Sequence, residues 1–257
     1  MPPKVLFYTI AIDRDQLQVY RQQARMLVAS LKRCGFEGDM KILHNGTSPI
    51  FDYPQKNVEE IGIDTPLSLE NCFKSKYVAR HLLSTEGYDW VMFLDCDFII
   101  NSKIDDWFTG PEIIRYACEP NRCISLPQFN TYLSESEGRD LAAPGVNSGS
   151  FIIKGEYFNA VMEEWERIDE QIPYSRKWGD QPAWNRLLLD TTYQTKEISN
   201  PPITFYYDQP SFMEVMRAPA MHFCGCGNGE KVLAMQAKFI THFHTDDEGT
   251  LMRLLER

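Results

Sequence analysis

The sequence predicts an α/β protein built on a mixed, mainly parallel sheet flanked by helices, and two stretches carry that prediction. The first reads strand, helix, strand within about 45 residues, a βαβ unit of the kind that builds parallel sheets with helices on their faces. The second is Trp90-Val91-Met92-Phe93-Leu94-Asp95-Cys96-Asp97-Phe98-Ile99-Ile100. It is an apolar, aromatic and β-branched run bounded by turn residues, the pattern of a buried strand. Composition agrees, because 257 residues at 43% hydrophobic and 24% charged make a globular chain long enough for a full core. A single domain over residues 1–257 is the expectation.

Taken in order, Val5 to Ile10 is a first buried strand. Leu17, Tyr20, Ala24, Leu27, Val28 and Leu31 then recur at helical spacing, and Gly35 stands where it can end that helix. Lys41-Ile42-Leu43 is a short second strand closed by Asn45-Gly46. Ligands of parallel sheets bind beyond the carboxyl ends of the strands. Asp13 lies on that rim, or else opens the helix as a turn residue; both readings stay open. Residues 46–70 carry turn formers without a period and read as a loop. Lys76 to Leu83 is helical, with Lys76 and Arg80 one turn apart on one face.

Beyond the long apolar run, Ile124-Ser125-Leu126 is a candidate strand. Gln128 to Gly145 is a polar loop holding Glu135, Glu137 and Asp140, and long loops in compact domains are often binding loops. Asn147-Ser148-Gly149-Ser150 leads into a buried strand at Phe151-Ile152-Ile153. Small residues there let a ligand approach the backbone, and an Asn amide both donates and accepts; a simple turn is the alternative. Met162, Trp165 and Ile168 mark a helix. Asp180 stands before another, with Pro182 in its first turn, as an N-cap, a ligand contact, or both. Met221-His222-Phe223 runs into a glycine-rich segment ending at Glu230-Lys231, and glycines beside a His and a Lys suit a loop over phosphates.

Asp95 and Asp97 share a side of the chain if the strand continues through them, while Cys96 points away; the alternative is that the strand ends at Leu94 and both aspartates are solvated loop residues. Two carboxylates side by side at the end of an apolar strand repel unless a cation sits between them, so a divalent metal is the simplest compensation. His222 adds an imidazole, and a mixed oxygen and nitrogen set suits Mn²⁺ ahead of Mg²⁺ or Ca²⁺. His242 and His244 flank Phe243 near Asp246-Asp247-Glu248 and read as solvent-facing instead. Cys224-Gly225-Cys226 beside His222 lacks the second ligand pair of a structural zinc site. The net charge of −10 and a pI near 5.0 argue against a nucleic-acid surface. No stretch approaches the roughly 20 apolar residues of a membrane span. The odd count of seven cysteines points to reduced thiols and a cytoplasmic protein.

Four motifs stand in a familiar order: Tyr88-Asp89-Trp90 running into Asp95-Cys96-Asp97, then Asn147-Ser148-Gly149-Ser150-Phe151, Asp180-Gln181, and His222-Phe223-Cys224-Gly225-Cys226. Over roughly residues 76–231 the chain resembles nucleotide-sugar glycosyltransferases of the GT-A fold. It is most similar to retaining family 34, the galactomannan galactosyltransferases and xyloglucan xylosyltransferases, with family 8 as a near relative. The resemblance implies a Rossmann-like GT-A domain with a nucleotide-binding half over about 1–100 and a sugar and acceptor half over about 101–257. It implies Asp95, Asp97 and His222 as ligands of Mn²⁺ (or Mg²⁺), and a catalytic role near the anomeric carbon for Gln181 with Asp180. Donor binding falls to Ala11, Asp13, Lys76, Asp95, Asn147, Ser148, Gly149, Asp180, Gly225 and Lys231. In the family a lysine follows the His-Phe-x-Gly-Cys segment closely, whereas here Gly227 to Glu230 intervene before Lys231. The family's usual membrane anchor and stem have no counterpart, so the chain is expected to be either a soluble relative, which its initial Met favours, or a catalytic fragment. The expected activity is metal-dependent retaining transfer from a UDP-hexose or UDP-pentose to a carbohydrate or other hydroxyl acceptor. The alternatives are an inverting GT-A transferase, with Glu135, Glu137 or Asp140 as base, and a non-catalytic nucleotide-sugar binding protein.

Overall fold

A computed structural model describes residues 2–13, 18–63, 74, 76–129, 140–172, 178–198, 203–205, 211–224 and 229–243, the side chains at 120, 121, 212, 216 and 241–243 aside. In chain order its strands and α-helices are β1 (Val5–Ala11), α1 (Val19–Arg33), β2 (Asp39–His44), β3 (Val58–Gly62), β4 (Trp90–Leu94), β5 (Phe98–Ile100), β6 (Ile114–Cys123) and β7 (Pro144–Lys154). They continue with α2 (Phe158–Asp169), α3 (Gln181–Asp190), β8 (Thr195–Glu197), β9 (Thr204–Phe205), α4 (Phe212–Arg217), β10 (Ala220–His222) and α5 (Gly229–Phe243). The chain forms two compact units interleaved in sequence. The first comprises Met1–Val5, Pro66–Phe93 and Phe108–Asn200, and the second Leu6–Thr65, Leu94–Trp107 and Pro201–Arg257. No helix among the described residues is long and apolar enough to cross a membrane.

The second unit opens with the expected βαβ arrangement. β1 pairs in parallel with β2, from Leu6 opposite Asp39 to Ala11 opposite His44. The helix between them ends as anticipated. Gly35 takes φ +82°, its N–H donates to Lys32 O, and the N–H of Phe36 donates to Leu31 O. This is a Schellman turn, which favours glycine at the left-handed position. The stretch 46–70, expected as loop, contains β3, parallel to β2 in register Met40–Val58 to His44–Gly62. It escaped sequence reading because Val58-Glu59-Glu60-Ile61-Gly62 is a half-exposed strand with no apolar run. A small separate sheet has the order β5-β10-β9. Ile99, Met221 and Phe223 join Met26 of α1 and Val232, Phe239 and Ile240 of α5 in one buried core.

The first unit carries the strand order β4-β7-β6-β8. β6 runs antiparallel to β7 and parallel to β8, so parallel pairings prevail across the described strands, as expected of an α/β chain. Its core is aromatic. Phe93 of β4 stacks on Phe151 of β7 with centroids 4.9 Å apart, and Phe151 meets Trp165 of α2 edge-on at 5.6 Å. Trp165 and Trp184 of α3 close the cluster at 4.6 Å. Such ring pairs add about 0.5–1.5 kcal/mol beyond their buried area, which holds α2 and α3 on the face of β7.

Three sequence expectations change in these regions. The apolar run 90–100 is two strands, because β4 ends at Leu94 and a turn over Asp95–Asp97, closed by Phe98 N–H to Asp95 O at 3.2 Å, starts β5. Ile124–Leu126 is a turn rather than a strand, following a β6 that ends at Cys123. Asn147 to Ser150 lie inside β7 and are buried, so they are strand residues and not an approach to one. Small polar residues suit this interior because a register shift in the β6–β7 pairing, between Tyr116 and Ala117, interrupts the regular ladder there.

Candidate active site and metal centre

The second unit brings Asp95, Asp97 and His222 together. One ligand atom from each lies within 4.8 Å of the others. The backbone makes this meeting compulsory: β10 runs antiparallel to β5 with His222 directly opposite Phe98, and the N–H of Phe223 donates to Asp97 O at 3.0 Å. An imidazole therefore lands across the ladder from the residue after Asp97. On the other side of β10, His222 is in register with Phe205 of β9. Its ring is stacked on Phe98 at 4.0 Å and 20° and tilted against Phe205 at 5.5 Å. Two aromatic neighbours in one cross-strand row fix the plane of the imidazole.

That plane aims Nε2 at the carboxylates, 3.1 Å from Asp97 Oδ1 and 4.0 Å from Asp95 Oδ2. The imidazole is 1% exposed, and its Nδ1 is buried without a hydrogen-bond partner among the described residues. Two carboxylate oxygens and one imidazole nitrogen within 4.8 Å of one another make a mixed donor set that fits a divalent cation. Cys96 turns the other way, as expected. It is buried, and its Sγ–H donates to Gln23 Oε1 at 3.3 Å. Burial, and then the charges of Asp97, Asp95 and Asp13, hold its thiol well above the ordinary range, so the free thiol stays protonated.

The first unit builds a second polar cluster on β7 and the start of α3. Lys76 is 5% exposed and Asp180 2%. Lys76 Nζ donates to Ser148 O at 3.1 Å and Ser148 Oγ at 3.3 Å, and lies 3.2 Å from Asp180 Oδ2. Ser148 Oγ–H donates to Asp180 Oδ1 at 3.2 Å. Asp180 occupies the N-cap position of α3, yet its side chain makes no capping bond; the carboxylate is spent on Lys76 and Ser148. Gln181 sits beside it, with Oε1 accepting from Ser148 N–H at 3.3 Å and Nε2 donating to Gln128 O at 3.2 Å. The Asn147 amide is oriented at both ends, donating to Glu119 Oε1 at 2.8 Å and accepting from Gly149 N–H at 2.8 Å.

The remaining expected residues are placed as follows. Ala11 is buried at the end of β1 opposite His44. Asp13 follows it, 9% exposed, and its Oδ1 accepts from the N–H of Tyr20 in the first turn of α1 at 2.9 Å, so the helix-opening reading is present in the structure. Lys231 is exposed on the first turn of α5. Asp140 is exposed and accepts from Ala142 N–H at 3.0 Å, a turn-forming contact. Leu17, Gly225, Glu135, Glu137 and His244, and the side chain of His242, lie outside the described residues.

Sequence reading missed two groups beside these clusters. Glu119 is a buried carboxylate, 4% exposed, that orients Asn147; nothing in its local pattern marks it. Asn185 of α3 receives Val146 N–H at 2.8 Å on Oδ1 and donates from Nδ2 to Val146 O at 2.7 Å and Gln181 O at 2.9 Å. It pins the start of α3 to β7, and its place among buried Ala183, Trp184 and Leu187 was the available signal.

No protein-family model and no curated protein sequence matches the chain. Solved structures match its fold. The WbbM bifunctional glycosyltransferase, in its apo structure, matches with a TM-score of 0.66 at 13% identity over 100% of this chain. This chain spans about half of that protein's length, 52%. The galactosyltransferase LgtC, solved with donor and acceptor sugar analogues, matches with a TM-score of 0.59 at 13% identity, covering 91% of this chain and 95% of its own. The chain therefore has the GT-A-like α/β fold of these glycosyltransferases, with its Asp-x-Asp at a strand end.

Proposed function

We propose that this protein is a metal-dependent, retaining glycosyltransferase that moves a hexose or pentose from a nucleotide-diphosphate sugar to a carbohydrate hydroxyl, with a UDP-sugar as the donor. The observation that carries the reading is the meeting of Asp95, Asp97 and His222 within 4.8 Å, across 125 residues of chain. Their donor set suits Mn²⁺ ahead of Mg²⁺, which prefers oxygen and water throughout. A divalent cation held there and bridging a diphosphate stabilises the charge that grows on the leaving nucleotide as its bond to the sugar breaks.

In this reading the residues divide the work. Asp95, Asp97 and His222 hold the cation. Lys231, on the first turn of α5, supplies positive charge to the phosphates, and Gly225 belongs to the same donor-binding set. Ala11 and Asp13 belong to the nucleotide side. Asn147, Ser148, Gly149 and Asp180 receive the sugar hydroxyls; Lys76 keeps the Asp180 carboxylate charge-compensated in a buried place. Gln181 lies near the anomeric carbon, a role that rests on the resemblance to retaining families 34 and 8.

Incubation with a panel of UDP- and GDP-sugars in Mn²⁺, reading released nucleotide, tests the activity. Release is expected with a UDP-sugar, lost with EDTA and reduced at least 100-fold in Asp97→Ala. Unchanged turnover in Asp97→Ala overturns the metal role. The anomeric configuration of the product by NMR is expected to match the donor, and inversion replaces the retaining assignment. Donor binding without release from any sugar makes the protein a non-catalytic nucleotide-sugar binder.

A further inference from the structure

Two glutamines are buried where the core asks for hydrocarbon. Gln236 of α5 is 0% exposed and Gln23 of α1 is 1% exposed. Gln236 lies on the apolar face of its helix, one turn from buried Val232 and Ile240 and beside Phe239. A buried amide costs free energy unless it is bonded, and a Leu or Met would fill the same space without that cost. What Gln236 bonds to is the backbone of the Asp-Cys-Asp turn. Its Nε2 donates to Cys96 O at 3.3 Å and to Phe98 O at 3.4 Å. Between them, Asp97 O accepts from Phe223 N–H at 3.0 Å. The carbonyls of three successive residues, centred on Asp97, are thus each tied down.

Gln23 approaches the same turn from α1. Its Oε1 accepts from Cys96 Sγ–H at 3.3 Å, and its Nε2 donates to Gly229 O, the first residue of α5, at 3.1 Å. The helices come close here, since a Cβ on Gly229 meets Val19 Cγ1 at 3.0 Å. One amide therefore links the turn to the start of α5 and the other links the turn to its middle. Backbone torsions at Asp97 decide whether its carboxylate faces His222 Nε2, and small displacements of a ligand cost affinity.

We infer that Gln236, supported by Gln23, is a positioning residue of the metal centre: it holds the carbonyls of Cys96 and Phe98, the residues flanking Asp97, so that the Asp97 carboxylate faces His222 before a cation arrives. The inference rests on the metal reading proposed above. Gln236→Met keeps side-chain length and removes both donors. Mn²⁺ binding to the full chain, followed by electron paramagnetic resonance without nucleotide, is expected to weaken at least tenfold in Gln236→Met, with an altered spectrum of the bound ion. The thermal midpoint of the metal-free protein is expected to change little, because the loss of the donor to the Cys96 and Phe98 carbonyls is offset by removal of a buried Oε1 with no hydrogen-bond partner among the described residues. The Mn²⁺ concentration for half-maximal turnover rises by the same factor.

Gln23→Met, which removes the link to Gly229, is expected to weaken Mn²⁺ about threefold, and Asp97→Ala abolishes binding. Wild-type affinity in both glutamine variants overturns the inference while leaving the metal reading intact. Should Gln236→Met fail to fold, Gln23→Met decides: unchanged Mn²⁺ affinity there overturns the inference. A wild-type protein that binds no Mn²⁺ removes the metal reading and this inference with it.

Discussion

At the scale of single residues, buried ionisable groups meet the cost of leaving water in different ways. Lys76 and Asp180 compensate one another, their side chains 7% and 2% exposed. Breaking a buried pair by removing one partner costs about 3–5 kcal/mol, whereas an apolar replacement of both is often neutral. Lys76→Met is accordingly expected to lose about 3 kcal/mol in urea unfolding, and Lys76→Met with Asp180→Leu to recover most of it; a single variant within 1 kcal/mol of wild type means the pair is solvated. His44 behaves differently. Burial first, then the charge of Arg21, lowers its pKa, with Glu60 opposing, and its Nδ1 accepts from Gly46 N–H at 3.2 Å, a contact that needs the neutral ring. As pH falls below about 6.5, the unfolded chain binds a proton that the folded one resists, so stability drops. Urea midpoints at pH 7.5 and 5.5 are expected to fall less in His44→Asn than in wild type, because the amide oxygen still accepts from Gly46 and no longer titrates.

At the scale of elements, the turn over Asp95–Asp97 is the decisive local event. A continuous strand leaves Asp97 without the backbone bend that presents it to His222; ending β4 at Leu94 and restarting at Phe98 moves the carboxylates into a turn. Close backbone approaches anchor the elements of the first unit as well. A Cβ on Gly155, just after β7, falls 2.0 Å from Tyr88 O, and the Gly155 N–H donates to Asp89 O at 2.9 Å. Gly155→Ala forces the segments before β4 and after β7 apart, at a cost of about 1–3 kcal/mol or more. Gly62 at the end of β3 has nothing within 4 Å of such an atom, so Gly62→Ala is expected to stay within about 0.5 kcal/mol of wild type. Thermal unfolding of the two variants side by side checks the contrast, and equal losses refute it. Helix α4 was readable in principle, since Ser211 and Glu214 form a full capping box.

At the scale of the whole molecule, a cation bound by the folded chain and not by the unfolded one raises stability by mass action, about 2.7 kcal/mol at 100 times its dissociation constant. The melting temperature is therefore expected to climb with Mn²⁺, to climb further with UDP added, and to respond to neither in His222→Ala; an equal Mn²⁺ response in that variant removes His222 from the ligand set. The α/β class, the first βαβ unit and the helix stop at Gly35 were all legible in the sequence, because each rests on local periodicity or on a backbone angle that one residue type favours. So were the members of the candidate metal cluster, since Asp95 and Asp97 are unusual in an apolar run and His222 follows a buried approach. Tertiary structure alone decided the rest. β3 takes its identity from pairing with β2, and Asp180 forgoes its cap for a lysine 104 residues away. Gln23 and Gln236 read as misplaced polar residues until the turn they hold is in view. The division has one physical reason: spacing along a chain records which face a side chain occupies, but its partner in a buried hydrogen bond is set by distant backbone that arrives only on folding.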